Sequence, residues 1–528
     1  MATSDVAGQH RLAAPPSRAA VLRVYHLVEQ VQTDRVERAR EEIGAGLSEQ
    51  PPGTELHRLL RYADAVDAVV NAPERAEEAS SALIRASELD ADPAMLATGL
   101  GLRAEMATRA GDIASALQDT SRGVSLLDLP GDPLARVSGL ISVAETYSTM
   151  RLWELGDELY DLAAEILPDC DDRLLEPVRH LNRAFVRFWW AAGLLEVGAS
   201  PDAVGLREDE APSQELLGLP MPDTWRRMLL VSLCARRVLL GVDHPEDQAW
   251  LRAQHDLLVG PEVRVQSHLA FAHAAIRSQD WQLALREVET AERTLGDSLT
   301  PHHRSLLAWT ASLAERGALG IQAPATLRYA ETIARQRWDE RLSRLASARA
   351  QVQAERLKRE HETLLRRTLE DPLTGLGNRR AFDDRLNALA RTVGADTDIA
   401  MVVVDIDHFK RINDLFGHVV GDLVLERVGT VLSSMLRPTD LAVRLGGDEF
   451  CAVLVGAQRD VVEQRAERLR RLVEDQEWEQ LAPGLVVGVS VGAASGRGHG
   501  DVPDLYRRAD QALYLAKAEG RGRLRLAT

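Results

Sequence analysis

Apolar residues recur at three- and four-residue spacing through 56–70, 79–89, 95–110, 113–127 and 134–149, the period of helices that bury one face. Polar breaks carrying Pro73, Asp90, Pro93, Gly111, Asp112, Pro130 and Pro133 separate them. The pattern resumes in two further pairs, 152–167 with 174–195 and 263–278 with 281–295. Helices of this length, joined at Gly111-Asp112, Arg151-Leu152 and Asp280-Trp281, have the size of a helical-repeat unit. Stacked pairs bury a continuous core and leave a concave face for a peptide or partner protein. A non-repeating helical bundle would show the same periodicity. Residues 201–222 hold four prolines and predict a long loop, and residues 1–20, with Pro15-Pro16 and no apolar run, predict a disordered lead-in.

No proline or glycine lies between Pro324 and Pro372, so 325–370 can form one connector helix. Within it Trp338, Leu345 and Val352 are spaced by sevens, as are Leu357 and Leu364, with a five-residue step between the two sets. Arg341, Ala348 and Glu355 fall at the intervening seam positions, where they suit a coiled coil poorly. Two readings stand: a two-stranded coiled coil that aligns two copies of the C-terminal region, or a single amphipathic connector. From 371 the pattern changes. Residues 400–405, 441–445, 450–455 and 485–494 read as strands, and 423–436, 462–473 and 505–519 as helices. A short strand at 523–526 completes an α/β sandwich with one central sheet. The predicted fold class is therefore multi-domain: an all-α region over 21–324, a connector over 325–370 and an α/β domain over 371–528.

Charge supports these divisions. The 528 residues carry a formal charge of −17. Residues 326–370 hold +4, 371–528 hold −3, and the first 325 hold −18. Eight of nine tryptophans precede residue 339. The acidic balance argues against nucleic acid as a partner. Cys170, Cys234 and Cys451 lie far apart, which excludes a disulfide framework or zinc cluster and fits a reducing cytoplasm. No apolar run reaches the ~18 residues of a bilayer span, and the most apolar helical stretch, 227–242, is interrupted by Arg236 and Arg237.

Candidate chemistry lies in the last third. Asp405 and Asp407 follow the apolar run 402–404, and a carboxylate ending a buried strand needs a cation or hydrogen bonds. Gly446-Gly447-Asp448-Glu449-Phe450 occupies the turn between two strands, where paired glycines leave room for a ligand. An acidic strand end beside an acidic hairpin suits Mg²⁺, which takes one or two carboxylates plus substrate phosphates.

The segment 446–450 is similar to the motif of GGDEF-domain diguanylate cyclases, and the resemblance covers 371–528. Asp371-Pro-Leu-Thr-Gly-Leu-Gly-Asn-Arg-Arg380, Asp405-Ile-Asp-His-Phe-Lys410, Asn413-Asp414, Phe416-Gly-His418 with Gly421-Asp422, Arg444 before the glycine pair, and Ala516-Lys517-Ala-Glu-Gly-Arg521 follow the family order. The helix pairs upstream resemble tetratricopeptide-type repeats in size, with the usual consensus eroded. The first resemblance implies a palm-like fold of the nucleotidyl-cyclase type. It implies condensation of two GTP into cyclic di-GMP and pyrophosphate where two protomers meet as a homodimer. Asp405, Asp448 and the Ile406 carbonyl would hold Mg²⁺, or Mn²⁺ in its place. Asn413 and Asp422 would bond guanine; Lys410, Lys517 and Arg521 would neutralise the triphosphate, with Gly446 and Gly447 leaving it space. Glu449 would help activate the attacking hydroxyl or hold metal. Arg437 and Asp440, in Arg437-Pro-Thr-Asp440, with Arg468, match the family's inhibitory product site, although a surface ion pair would also explain that spacing. Asp407 and Asp414 also fit capping roles, His418 a structural role and Cys451 a core role. A catalytically silent cyclic di-GMP or GTP receptor, acting through protein contacts of the helical repeats, is the alternative function.

Overall fold

The computed structural model of the chain describes residues 16–527 except 34, 171, 207–215, 217, 245, 256, 258–259, 321–324, 393, 395, 438 and 499–500. The chain divides after Arg356 into two compact units. The first is helical: α1 Arg18–Val31, α2 Val36–Glu49, α3 Glu55–Asn71, α4 Pro73–Leu89, α5 Pro93–Arg109, α6 Ile113–Leu127, α7 Pro133–Thr149, α8 Trp153–Ile166, α9 Glu176–Glu196, α10 Asp223–Leu240, α11 Asp247–His255, α12 Pro261–Arg277, α13 Trp281–Leu295 and α14 Pro301–Leu319. Helix α1 begins inside the expected lead-in, of which 1–15 lie outside the described residues. Of the expected loop, Pro201–Val204 form a 3₁₀ turn, and 207–215 and 217 lie outside the described residues.

One turn construction recurs in this unit. After α4, α5, α7 and α12 a single residue is left-handed: Ala91, Gly111, Arg151 and Gln279, with φ of 51°, 84°, 64° and 61°. The next N–H returns to a carbonyl five residues back: Asp92 to Ser87 at 3.0 Å, Asp112 to Ala107 at 2.8 Å, Leu152 to Tyr147 at 2.8 Å and Asp280 to Ala275 at 2.9 Å. This is the Schellman closure of a helix C-terminus. At three of the four turns the same residue opens the following helix, because Asp92, Asp112 and Asp280 accept from the N–H groups of Met95, Ser115 and Leu283. A repeated closure-and-cap device is what a helical-repeat region needs, and the all-α unit is consistent with one.

The 45-residue helix α15, Ala325–Leu369, is unbroken as its sequence allows. Its apolar stripe does not remain free. Leu345 and Ala348 belong to the core of the helical unit, and Trp338 and Val352 pack against it. Arg341, a poor seam residue, is fully buried there. Its Nη1 and Nη2 donate to the Glu154 carboxylate at 2.6 and 2.7 Å, and its guanidinium lies 4.0 Å from the centre of the Trp338 ring. The first heptad set is thus occupied within the chain, while Leu357, Leu364 and Leu365 stay exposed.

The second unit holds a five-stranded sheet in the order β2-β3-β1-β4-β5. Its strands are β1 Asp398–Ile406, β2 Leu441–Gly446, β3 Glu449–Val455, β4 Val489–Arg497 and β5 Leu524–Leu526, and its helices α16 Arg379–Thr392, α17 Phe409–Phe416, α18 His418–Ser434, α19 Arg459–Glu474 and α20 Val502–Ala518. Central β1 runs antiparallel to β3 and β4, and β5 is parallel to β4. Alternation along β1 sends Val402, Val404 and Ile406 into a core with α18 and α19, and Met401 and Val403 into a second core with α16 and α20. Asp405 follows the second set, so it meets the face that α20 covers. Strand β4 starts at Val489, later than its apolar run; Leu485 and Val487 pack into the first core from outside the ladder.

Candidate active site

The end of β1 and the turn between β2 and β3 form one cluster. Asp405 pairs across the ladder with Glu449, and the Ile406 N–H donates to the Asp448 carbonyl at 3.3 Å. Gly446 and Gly447 carry φ of 149° and 56°, and the second value explains a glycine in this turn. Asp405 is only 7% exposed. Burial, reinforced by Asp448 and Glu449 and opposed by Lys517, pushes its carboxyl up to about 6. The Lys517 Nζ stands 2.6 Å from Asp405 Oδ2. Helix α20 brings the lysine there by lying directly on β4: a Cβ on Gly492 would fall 2.2 Å from the Ala509 carbonyl oxygen and from the Leu513 nitrogen.

Two residues that the sequence placed only in motifs hold this cluster. Arg444 donates through Nε and Nη2 to the Gly447 carbonyl at 2.9 and 2.8 Å and through Nη1 to Asp371 Oδ1 at 3.2 Å. Burial would raise the Asp371 carboxyl, but hydrogen bonds from Thr374 and the Arg444 guanidinium bring it below its usual range. The 371–378 turn is pinned to β2 by Gly377 N–H to the Ala442 carbonyl and Arg444 N–H to the Gly377 carbonyl. Asp407 joins two segments, accepting from the Ser490 hydroxyl at 2.7 Å and the Gly522 N–H at 2.9 Å. It thereby fixes the left-handed turn at Arg521, whose side chain is exposed.

Where α17 passes α18, the Asn413 amide lies against Gly421, the residue before Asp422. A Cβ on Gly421 would lie 1.9 Å from Asn413 Oδ1, so glycine there is what admits the amide beside Asp422. Asp422 and Lys410 are exposed, as are Leu415, Val419 and Leu423 on the same two helices. Cys451 is fully buried in the sheet, as a core residue would be.

Arg437 and Asp440 lie apart from this cluster, before the opposite end of β2, about 20 Å away at the rise of an extended strand. The Asp440 carboxylate is occupied internally. It accepts from the N–H groups of Arg437 and Val455 and pairs with Arg465 Nη1 at 3.2 Å, its side chain 1% exposed. Arg465 was not singled out from sequence; it lies one helical turn before Arg468 on α19. The guanidinium groups of Arg437 and Arg468 are exposed.

Residues 368–523 match the family described as "Diguanylate cyclase, GGDEF domain". The C-terminal unit carries a GGDEF domain. Over its length the chain is 41% identical in 162 residues to the diguanylate cyclase DgcP of Pseudomonas aeruginosa, a match covering 30% of this chain and 24% of that protein. It is 34% identical in 163 residues to the diguanylate cyclase DgcS of Shewanella oneidensis, covering 31% of this chain and 54% of that one. It is 37% identical in 186 residues to the response regulator PleD of Caulobacter vibrioides, covering 33% and 40%. The chain thus spans from a quarter to about half the length of these relatives. Among solved structures, the coiled coil and GGDEF domain of DgcB from Caulobacter crescentus, in complex with c-di-GMP, is 35% identical. That match covers 35% of this chain and 98% of that one, with a TM-score of 0.32. No described helix is long and apolar enough to cross a membrane.

Proposed function

We propose that the protein is a diguanylate cyclase that condenses two GTP into cyclic di-GMP and pyrophosphate in a homodimer. The observation that carries this reading is the juxtaposition of Asp405 with Glu449 and Asp448 at one sheet end, with Lys517 on Asp405, inside the segment that matches the GGDEF family. Among the described residues no three His, Cys, Asp or Glu side chains form a ready metal cage. Two carboxylates completed by substrate phosphates is the usual donor set of Mg²⁺, so the residues present fit an ion that arrives with the nucleotide. Asp405, Asp448 and the Ile406 carbonyl would hold Mg²⁺ or Mn²⁺, which supplies charge neutralisation at the attacking and leaving oxygens.

The chain's own groups do the rest. Asn413 and Asp422 receive guanine, whose N–H groups a carboxylate accepts, and a site built on hydrogen bonds rejects a base lacking those donors. Lys410, Lys517 and Arg521 offset the triphosphate charge, and Glu449 faces the attacking hydroxyl. Gly446 and Gly447 keep the turn clear of side chains where the phosphates pass. Arg437 and Arg468 offer two exposed guanidinium groups to a product phosphate or base, with Asp440 holding the loop that presents Arg437. The exposed Leu357, Leu364 and Leu365 of α15 provide the apolar stripe for pairing of two copies, and the helical unit takes a regulatory role.

Product analysis of the assembled full chain with GTP and Mg²⁺ tests the reading. Cyclic di-GMP is expected from the parent and none from Asp448→Ala, with the melting temperature retained. Turnover by Asp448→Ala near the parent rate contradicts the metal assignment. Absence of any cyclic dinucleotide from an assembled parent dimer overturns the enzyme in favour of the receptor.

A further inference from the structure

We infer that the helical unit is a receptor for a small organic cation, an ammonium group on a short apolar body, bound in the cavity enclosed by α1, α3, α5, α7, α9 and α10. The inference is independent of the cyclase reading. The cavity measures about 310 Å³, at the lower end of the range for small-ligand sites. Val66, Val69, Leu102, Ile141, Leu181 and Trp225 supply an apolar wall, and Glu29, Glu105 and Glu145 open onto the same space.

Two polar groups there lack what a cation would bring. Glu105 is engaged by Arg109. Glu145 has no ion-pair partner among the described residues; burial, with Glu105 and Glu262 behind it and only partly opposed by Arg109 and the Tyr160 hydroxyl, pushes its carboxyl up to about 8. Tyr25, in α1, is 2% exposed and lines the cavity, and its hydroxyl sits by that of Ser138 but makes no hydrogen bond of normal length among the described residues. Its neighbour Tyr62 does have one, accepting from the Ser138 hydroxyl at 2.9 Å. An ammonium between them would pair with Glu145, donate to the Tyr25 oxygen and lie against aromatic faces that attract cations. A bare metal ion fits poorly. No chelating cluster exists among the described residues, and apolar walls give a hydrated ion nothing. An alkyl or aryl ammonium uses both halves of the lining. The −18 charge of the first 325 residues raises the local concentration of any such cation.

Calorimetric titration of the full chain with butylammonium, hexylammonium and phenethylammonium chloride tests this, with the matching alcohols as neutral controls. At least one amine is expected to saturate a single site, and its alcohol to bind about tenfold more weakly or worse. Glu145→Gln is expected to weaken the amine about ten- to a hundredfold, the range of a lost charge-assisted bond, and Tyr25→Phe by a smaller factor. The first variant replaces a carboxyl that the ligand-free folded protein keeps protonated at neutral pH and the second removes a buried hydroxyl, so neither is expected to lower the melting temperature. Failure of all three amines to bind, equal affinity of the alcohols, or undiminished binding by Glu145→Gln overturns the inference. Tighter binding of Nα-acetyl-lysine methylamide than of any free amine also overturns it, since the source would then be a peptide side chain.

Discussion

Arg444 shows how one side chain can brace the turn proposed to be catalytic. Its planar fork reaches the Gly447 carbonyl with two nitrogens and Asp371 with a third, a geometry that a lysine ammonium does not reproduce. Arg444→Lys is therefore expected to lower GTP turnover about ten- to a hundredfold, the penalty of a reacting group displaced by about an ångström, while the C-terminal unit still melts cooperatively. Turnover within about twofold of the parent would show that the turn holds itself. Glu145 gives a pH prediction of known sign. Burial raises its folded-state value to about 8 from 4.5, with Glu105 and Glu262 adding to the rise and Arg109 opposing it. The folded protein therefore keeps a proton that the unfolded chain releases, and its stability falls as pH climbs from 4.5 to 8. Glutamine does not titrate. The stability gain from Glu145→Gln should be near zero at pH 4.5 and reach about 1–3 kcal/mol by pH 8.5, read from melting curves of both proteins. A gain that does not change with pH would contradict the assignment. At this scale the sequence exposed Asp405, Asp448 and Glu449 because they sit in a local motif. It did not expose Arg465 or the bridging role of Asp407, because each acquires its partner only through tertiary packing, nor Glu145, whose burial is also a product of that packing.

Among the elements, α20 on β4 is the junction that matters most. The helix approaches so closely at Gly492 that an added methyl would meet backbone atoms at 2.2 Å, and backbone cannot swing aside as a side chain can. Gly492→Ala is expected to destabilise the C-terminal unit by about 1–3 kcal/mol and to slow turnover by shifting Lys517 away from Asp405. Gly488→Ala, where the added carbon would meet only Asp407 Oδ2 at 3.6 Å, is the contrast and should leave the melting temperature almost unchanged. Equal effects of the two would remove the close-approach argument. Most elements were legible in advance because one face is apolar and the other polar. Helices α1, α2, α11, α14, α16 and α17 were not singled out; of these α2 buries only Ala39 and Ile43, and α11 only Leu251. The late start of β4 was hidden for a different reason: Leu485 and Val487 reach the core without joining the sheet, and a hydrophobic pattern records burial rather than pairing.

For the whole molecule, uneven charge and tryptophan content lead to the expectation of separate units, and the division itself falls after Arg356, inside the expected connector. The core of the helical unit draws on residues from Val21 to Ala348, and the two cores flanking the sheet on residues from Leu376 to Leu513, with none shared. Scanning calorimetry of the full chain is expected to resolve two transitions, and a fragment covering 357–528 to retain one of them at a similar temperature. A single transition that the fragment lacks would mean that the units unfold as one. What the sequence concealed at this scale was the use of the heptad in α15. Seven-residue spacing serves equally for a second copy and for a groove in the same chain, and only the buried Arg341 with its Glu154 partner identifies the groove. That socket also places the Trp338 ring beneath a guanidinium, with its centre 6.3 Å from the centre of Trp153. Unseating the long helix would expose an indole pair and a cation to water together. Ultraviolet emission thus offers a built-in gauge of whether the helix is docked, with no dye attached.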